Sequence, residues 1–241
     1  MVKPAEPSSR ADTALADARA GFLLILPAAL ACVPFALILG AMAAQKGLSP
    51  LEMALMSTLV FAGGSQFVAV DLWTHPAPWL ALGFAAFLVN LRFVLMTASL
   101  AGKLGHFRGW ERAVIVFFMA DENWAVAERR AAERLLTWPF LLGMIPFFYV
   151  NWLAWTVLGT AIGSAFQNPA AYGFDFAFTA MFLALAVGFW NGARTGIVMA
   201  VSAVVAALVS IAIEGPWYVI AGAFAGMAAA VLMPQTETTP A

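Results

Sequence analysis

Between residues 22 and 44 the chain carries no charged side chain, and the same is true between 137 and 163. A helix rises ~1.5 Å per residue, so about 20 apolar residues cross a hydrocarbon core of about 30 Å. Both runs meet that length. Residues 53–73 and 79–100 are nearly as apolar, residues 113–127 form a shorter run, and three segments follow at about 174–190, 195–213 and 216–233. With 63% apolar and 10% charged residues, the chain lacks the polar side chains that a water-facing surface needs. The sequence therefore predicts an all-α membrane protein, a multi-helix transmembrane bundle of about six to eight hydrophobic segments.

The same composition excludes other classes. A net charge of -1, with no basic stripe interleaved by aromatics, argues against nucleic acid as a partner. The one cysteine, Cys32, lies in an apolar run, so it allows no disulfide and no cysteine metal cluster within the chain. It reads as a small buried apolar residue. No metal, cofactor or catalytic site is expected. An intramembrane hydrolase using Ser65 would need a base, yet the two histidines, His75 and His106, fall in linkers, and no H-E-x-x-H motif occurs. Residues 1–20 are polar, of mixed charge and unlike a secretory signal. They are expected to form a cytoplasmic tail, partly helical near Leu15, before a transport domain at 21–233 and a second polar tail at 234–241.

Basic residues set orientation. Arg10 and Arg19 place the N-terminus inside. Lys103, Arg108 and Arg112 follow segment three, and Arg129, Arg130 and Arg134 follow segment four, whereas 164–175 has no Lys or Arg. Simple alternation puts the first basic linker outside. The conflict disappears if segments two and four are broken and re-entrant. Segment two would enter from outside, break at Gly63-Gly64 and return, and segment four would do the same from inside. Such backbone is allowed only where protein or a wet cavity satisfies it, a transporter feature. Two kinked full crossings are the alternative. An internal two-fold repeat is hinted at by Pro27, Gly40 and Pro50, which recur 119 residues later as Pro146, Gly159 and Pro169.

Four clusters carry polar chemistry at depth. In FAGGSQF, residues 61–67, Gly63 and Gly64 permit unwinding, and Ser65 and Gln66 add hydrogen-bonding groups. Close helix packing also explains the glycines, but a buried amide is costly without a partner. Asn90 and Arg92 sit within segment three. An arginine there costs at least about 2.5 kcal/mol, so it faces the interior, gripping a substrate carboxylate or pairing with Asp71 or Asp121. Asp121 and Glu122 are adjacent, so they point to different helix faces. Asp121 directly follows an apolar run and is the stronger candidate proton carrier, while Glu122 also reads as a solvated helix end beside Arg129. Asn191, Gly192 and Arg194 read as an interhelical turn. Trp73, Trp79, Trp110, Trp138, Trp152 and Trp217 fall mostly near predicted helix ends, where an interfacial belt accounts for them.

The order of these features is distinctive: GFLLILPAALACVPFALILGA, a Gly-Leu-Ser linker, FAGGSQF, an N-x-R in the third segment and Asp-Glu after the fourth. The chain resembles the AzlC family, the larger subunit of branched-chain amino acid exporters, over about residues 20–233 and most closely from Gly21 to Glu122. The resemblance implies export of valine, leucine and isoleucine across a bacterial cytoplasmic (inner) membrane, driven by the proton gradient. It also implies a small AzlD-like companion subunit. Gly63, Gly64, Ser65, Gln66, Asn90 and Arg92 carry over as candidate substrate-binding positions, and Asp121 and Glu122, with Asp71, as proton-coupling candidates. A passive channel, or a transporter of another small solute, is the competing reading.

Overall fold

The computed structural model describes residues 10–163, 183, 187, 190, 192–213 and 217–233. Among these residues there are helices and connecting turns and no strand, so the chain is a helical membrane bundle. It divides into two compact units, residues 1–174 and 175–241. The segment expected at 174–190 lies almost wholly outside the described residues, as do 1–9 and 234–241 of the two tails.

The first unit is built on a parallel pair. α1 (Arg10–Gln45) and α8 (Trp138–Gly163) are each long and apolar enough to cross a bilayer. Gly143 meets Ala18, Gly21 meets Phe140, Gly40 meets Thr156, and Gly163 meets Ala41. A Cβ at any of these glycines would strike the partner's backbone, so the missing side chains let the two backbones touch. Asn151 adds a strut by donating to the Ala29 carbonyl at 3.0 Å. The pair also gives meaning to the 119-residue echo. Gly40 packs on Thr156, while its counterpart Gly159 packs on Leu37, the counterpart of Thr156. This one reciprocal contact is what a two-fold repeat of the pair would give.

Segments two and four are both broken. α2 (Pro50–Leu59) and α3 (Gly63–Asp71) are separated at residues 60–62. α4 (Trp79–Asn90) and α5 (Arg92–Ala101) form one crossing with a joint at Leu91. α6 (Gly109–Phe117) and α7 (Asp121–Glu133) are separated at residues 118–120. At ~1.5 Å per residue, none of α2, α3, α6 or α7 reaches across a core of about 30 Å.

Each broken segment returns to the end it came from. Lys46, just past α1, donates to the Asp71 carbonyl at the end of α3 (2.6 Å), and the His75 ring bonds the Lys46 carbonyl (3.1 Å). α2 starts beside the same loop, behind a Ser49–Glu52 capping box. Between these ends, Phe61 lies against Phe148 and Tyr149 in the middle of α8, at 6.0 and 5.0 Å between rings. α6 begins where the Trp138 indole donates to Glu111 (2.8 Å). The backbone N–H of Arg108 and that indole hold the Glu111 carboxyl below its usual range. Phe118, at the far end of α6, meets Tyr149 edge-on at 5.0 Å. α7 then returns, bringing Arg130 to Asp17 and over the Phe140 ring.

The unit thus holds two re-entrant hairpins entering from opposite ends, their tips meeting at Tyr149. This arrangement removes the orientation conflict, because the linkers bearing Lys103, Arg108, Arg112 and Arg134 fall at one end, here called the basic end. Two kinked full crossings do not occur. One detail differs from expectation: the first break is at residues 60–62, and Gly63-Gly64 opens the returning helix instead of interrupting it.

In the second unit, α9 (Ala193–Ala212) and α10 (Trp217–Leu232) form an antiparallel hairpin. Gly222 and Gly226 face Ser202, and Arg194 donates to the carbonyls of Ala230 and Met233 at 2.9 and 3.4 Å. Gly192, at φ +86°, forms the turn that opens α9, as expected; Asn191 is outside the described residues. The glycine contacts in the first unit give a sharp test. Gly159→Val should lower the thermal stability of the detergent-solubilised protein by about 1–3 kcal/mol or more, an overpacking cost. Gly83→Ala, where nothing lies within 4 Å, should leave it within about 0.5 kcal/mol of native. Equal effects at the two positions would contradict the close backbone pairing.

Candidate functional site

The hairpin tips converge on the joint of α4–α5 and the middle of α1. Each tip is stitched by its own side chains. Ser65 is buried, and its hydroxyl donates to the Ala62 carbonyl at 3.0 Å. Asn123, also buried, accepts from the Ala120 N–H (2.8 Å) and donates to the Phe118 carbonyl (2.7 Å). These bonds satisfy backbone groups that the broken helices leave open at depth.

The first tip is also fastened to α8. The Trp152 indole donates to Gln66 Oε1 at 2.9 Å, Gln66 Nε2 donates to Ser57 Oγ at 2.9 Å, and Ser57 lies 3.0 Å from the Thr156 hydroxyl. Thr156 in turn donates to the Leu153 carbonyl (3.0 Å), so Ser57 is the donor in its pair. All four side chains are buried. Both ends of the Gln66 amide are therefore engaged within the protein. Trp152 is not an interfacial residue, as its place near other tryptophans suggested. It sits in the interior of α8, and its ring occupies the space beside Gly63, where a Cβ would lie 2.9 Å away.

Gly64 faces Arg92. A Cβ there would come within 3.1 Å of Arg92 Nη2, so the glycine lets α3 approach the guanidinium. Arg92 Nη1 pairs with Asp121 Oδ2 at 2.9 Å, and each side chain is about one-third exposed, at 35% and 34%. The guanidinium also lies 5.4 Å from the Phe93 ring. Of the two acids expected as partners, Asp121 is the one that meets Arg92. Asp71 lies exposed at the opposite end of α3, beside Lys46. Glu122 points to another face, as adjacent residues must. It accepts a hydrogen bond from Cys32 Sγ at 3.4 Å instead of sitting in solvent near Arg129. Cys32 thus joins α1 to the second tip. Within the pair, Arg92 Nε is a buried donor without a partner, and Asn90 Oδ1, two residues earlier at the end of α4, is a buried acceptor without one.

The centre thus combines one cation, two carboxylates and an unsatisfied donor at the meeting point of two re-entrant hairpins. An apolar groove of about 210 Å³ lies between α6 and α8, lined by Val114, Phe118, Leu141, Ile145 and others. Leu142 and Val150 on its rim are exposed, so it faces lipid, and it offers no charge.

This architecture is that of a helical membrane protein with paired half-crossing hairpins, a class to which many transporters belong. The family model described as AzlC protein matches residues 27–166, which covers both hairpins and the crossing helices between them, and the chain belongs to the AzlC family. An Archaeoglobus fulgidus protein described as an uncharacterized membrane protein is 30% identical over 169 residues, 69% of this chain and 73% of the relative. Inner membrane protein YgaZ of Escherichia coli is 28% identical over 140 residues, 58% of this chain and 56% of the relative. The branched-chain amino acid transport protein AzlC of Bacillus subtilis is 27% identical over 149 residues, 60% of this chain and 56% of the relative. The match thus spans little more than half the length of the two bacterial relatives. No solved structure matches the chain.

The Trp152–Gln66 bond can be tested by itself. Trp152→Phe keeps a ring beside Gly63 but leaves Gln66 Oε1 without its donor in a dry site. The variant should lose about 1–3 kcal/mol of stability, the cost of one buried unsatisfied acceptor. Thermal melting in detergent measures it, and an unchanged midpoint would show that the bond does not hold the tip.

Proposed function

We propose that this chain is the permease subunit of a secondary transporter that exports branched-chain amino acids such as valine, leucine and isoleucine across the bacterial cytoplasmic membrane. The observation that carries the reading is the Arg92–Asp121 pair, which lies where two opposed hairpin tips meet and leaves Arg92 Nε, a buried donor, without a partner. A zwitterionic amino acid needs donors for its carboxylate and acceptors for its ammonium. Arg92 supplies the donors, together with the first N–H groups of α3 at Gly63, Gly64 and Ser65, which have no carbonyl four residues back within the helix. Asn90 and the Asp121–Glu122 carboxylates supply the acceptors. Gln66 acts by positioning α3. Asp71 lies too far along α3 to take part.

The proton coupling follows from competition. A proton and the substrate ammonium seek the same carboxylates, so each lowers the affinity for the other. Mutually exclusive binding at one site gives antiport, with protons moving inward as the amino acid leaves. The positive-inside bias assigns the basic end, and with it the N-terminus, to the cytoplasm. A small AzlD-like subunit is the companion, in line with the family. A hydrolase is disfavoured, since Ser65 bonds the Ala62 carbonyl, and His75 and His106 each bond backbone carbonyls in loops near the hairpin ends.

The test is efflux of preloaded radiolabelled valine from vesicles holding this chain with the small subunit. Arg92→Ala, inserted and folded, should slow efflux by about 10–100-fold, the scale of one charged hydrogen-bonded contact. Asp121→Asn should retain valine counterflow but lose its response to an imposed pH gradient. Proton-insensitive efflux in the native protein would establish a passive channel instead. No efflux with both subunits inserted would sink the valine assignment.

A further inference from the structure

The two hairpins are held in different ways. α7 has a non-helical joint at each end, residues 118–120 and 134–137. Its one buried apolar side chain is Ala127. Besides that side chain and the flank of Trp124 against Leu100 and Ile115, its ties are polar. At its tip end are Arg92–Asp121 and Cys32–Glu122. Midway, Glu128 takes hydrogen bonds from Lys103 and Ser99, and the Trp124 indole donates to the same Ser99 hydroxyl (3.0 Å). At the basic end, Arg130 pairs with Asp17 of α1 at 2.5 Å, and Thr137 donates to the other Asp17 oxygen. Arg130 is more enclosed than Asp121 or Glu128. Its side chain is 13% exposed, it lies 4.9 Å over Phe140, and its Nε has no partner.

A rigid helix carries a displacement at one end to the other. Asp121 and Arg130 lie on the same α7, ~13 Å apart along it at 1.5 Å per residue. Because few apolar side chains of α7 are buried, the charged contacts weigh heavily in where it rests. We infer that Asp17, through Arg130 and Thr137, is a positioning residue for the Arg92–Asp121 centre: it latches the basic end of α7, and its release lets this half-helix leave α1 and uncover Cys32. The inference takes Arg92–Asp121 as the working centre, as proposed above. It adds that access from the basic end is gated by a contact outside that centre, made by a part of α1 that reads as a polar tail.

The protein carries its own reporter, because Cys32 is its one cysteine. It is 7% exposed and covered by Glu122 of α7. The experiment measures the rate at which N-ethylmaleimide labels Cys32 in vesicles containing the full chain, with a membrane-impermeant methanethiosulfonate applied from each side to locate the opening. Native protein should label slowly. Asp17→Asn should label at least about tenfold faster, the scale of one lost charged contact, and from the basic end. Arg130→Asp should do the same, and the exchanged pair Asp17→Arg with Arg130→Asp should return toward the native rate. An unchanged rate in folded Asp17→Asn, or an exchanged pair labelling as fast as the single variants, overturns the latch. Should Asp17→Asn fail to accumulate, Thr137→Val removes one bond and keeps the charges; it should raise the rate by roughly threefold, and an unchanged rate there overturns the latch equally. Labelling needs no substrate, so failure of the valine assignment and failure of the latch are separate results.

Discussion

The backbone contact between α1 and α8 is what the rest of the first unit depends on. Lipid offers no hydrophobic drive between apolar helices, so close packing must hold them together. Gly21, Gly40, Gly143, Gly159 and Gly163 bring the two backbones together along the length of the pair. The face of α8 turned to the hairpins is thereby fixed, and Phe148, Tyr149, Trp152 and Thr156 receive the first hairpin on it. Broken backbone at membrane depth survives only where protein covers it. Phe61 and Ala62 at the first tip are buried, and the second tip is closed by Asn123.

The scaffold divides the labour between the hairpins. α2 and α3 bury Met53, Ser57, Phe67 and Val70 and share a closed hydrogen-bond chain with α8. α7 buries only Ala127 and Asn123. Elements with few buried apolar contacts open at lower free energy than those with many. The half-helix bearing the carboxylates, α7, is therefore the one suited to move, and the hairpin that presents its N–H groups is the one held still.

Much of this was legible in the sequence because charges are expensive in lipid. Basic residues on two successive linkers sat badly with simple alternation, and two half-crossing segments were one way to place them on one side, beside two kinked crossings. The cost of an intramembrane guanidinium marked Arg92, but its partner stayed open between Asp71 and Asp121, since which acid comes near depends on where each hairpin turns back. Other features left no local trace. Trp152 looks like any belt tryptophan until the pairing of α8 with α1 places it in the interior. Cys32 is an apolar residue by its neighbours and a hydrogen-bond donor only once α7 returns beside it. Asp17 reads as a tail charge because nothing before α7 hints at its partner. Gly63-Gly64 suggested the break itself, whereas the glycines serve close approach to Trp152 and Arg92 just after it.

The two arginine–aspartate pairs on α7 share one incomplete geometry. A guanidinium can meet a carboxylate through two parallel bonds, yet Arg92 and Arg130 each touch theirs through a terminal nitrogen and leave Nε unused. An unsatisfied donor in a dry site raises the energy of the state that contains it. At Arg92 this cost is relieved by any ligand that brings a carboxylate. At Arg130 a ligand has no such access, since the side chain is largely enclosed. The first pair is thus built to be exchanged, whereas the second either stays closed or opens with the movement of the helix that carries both. On the proposed function, a substrate that displaced Asp121 from Arg92 would remove one of the polar ties on α7 and shift the load to Asp17. Occupancy of the centre would then weaken the hold on the half-helix that encloses it.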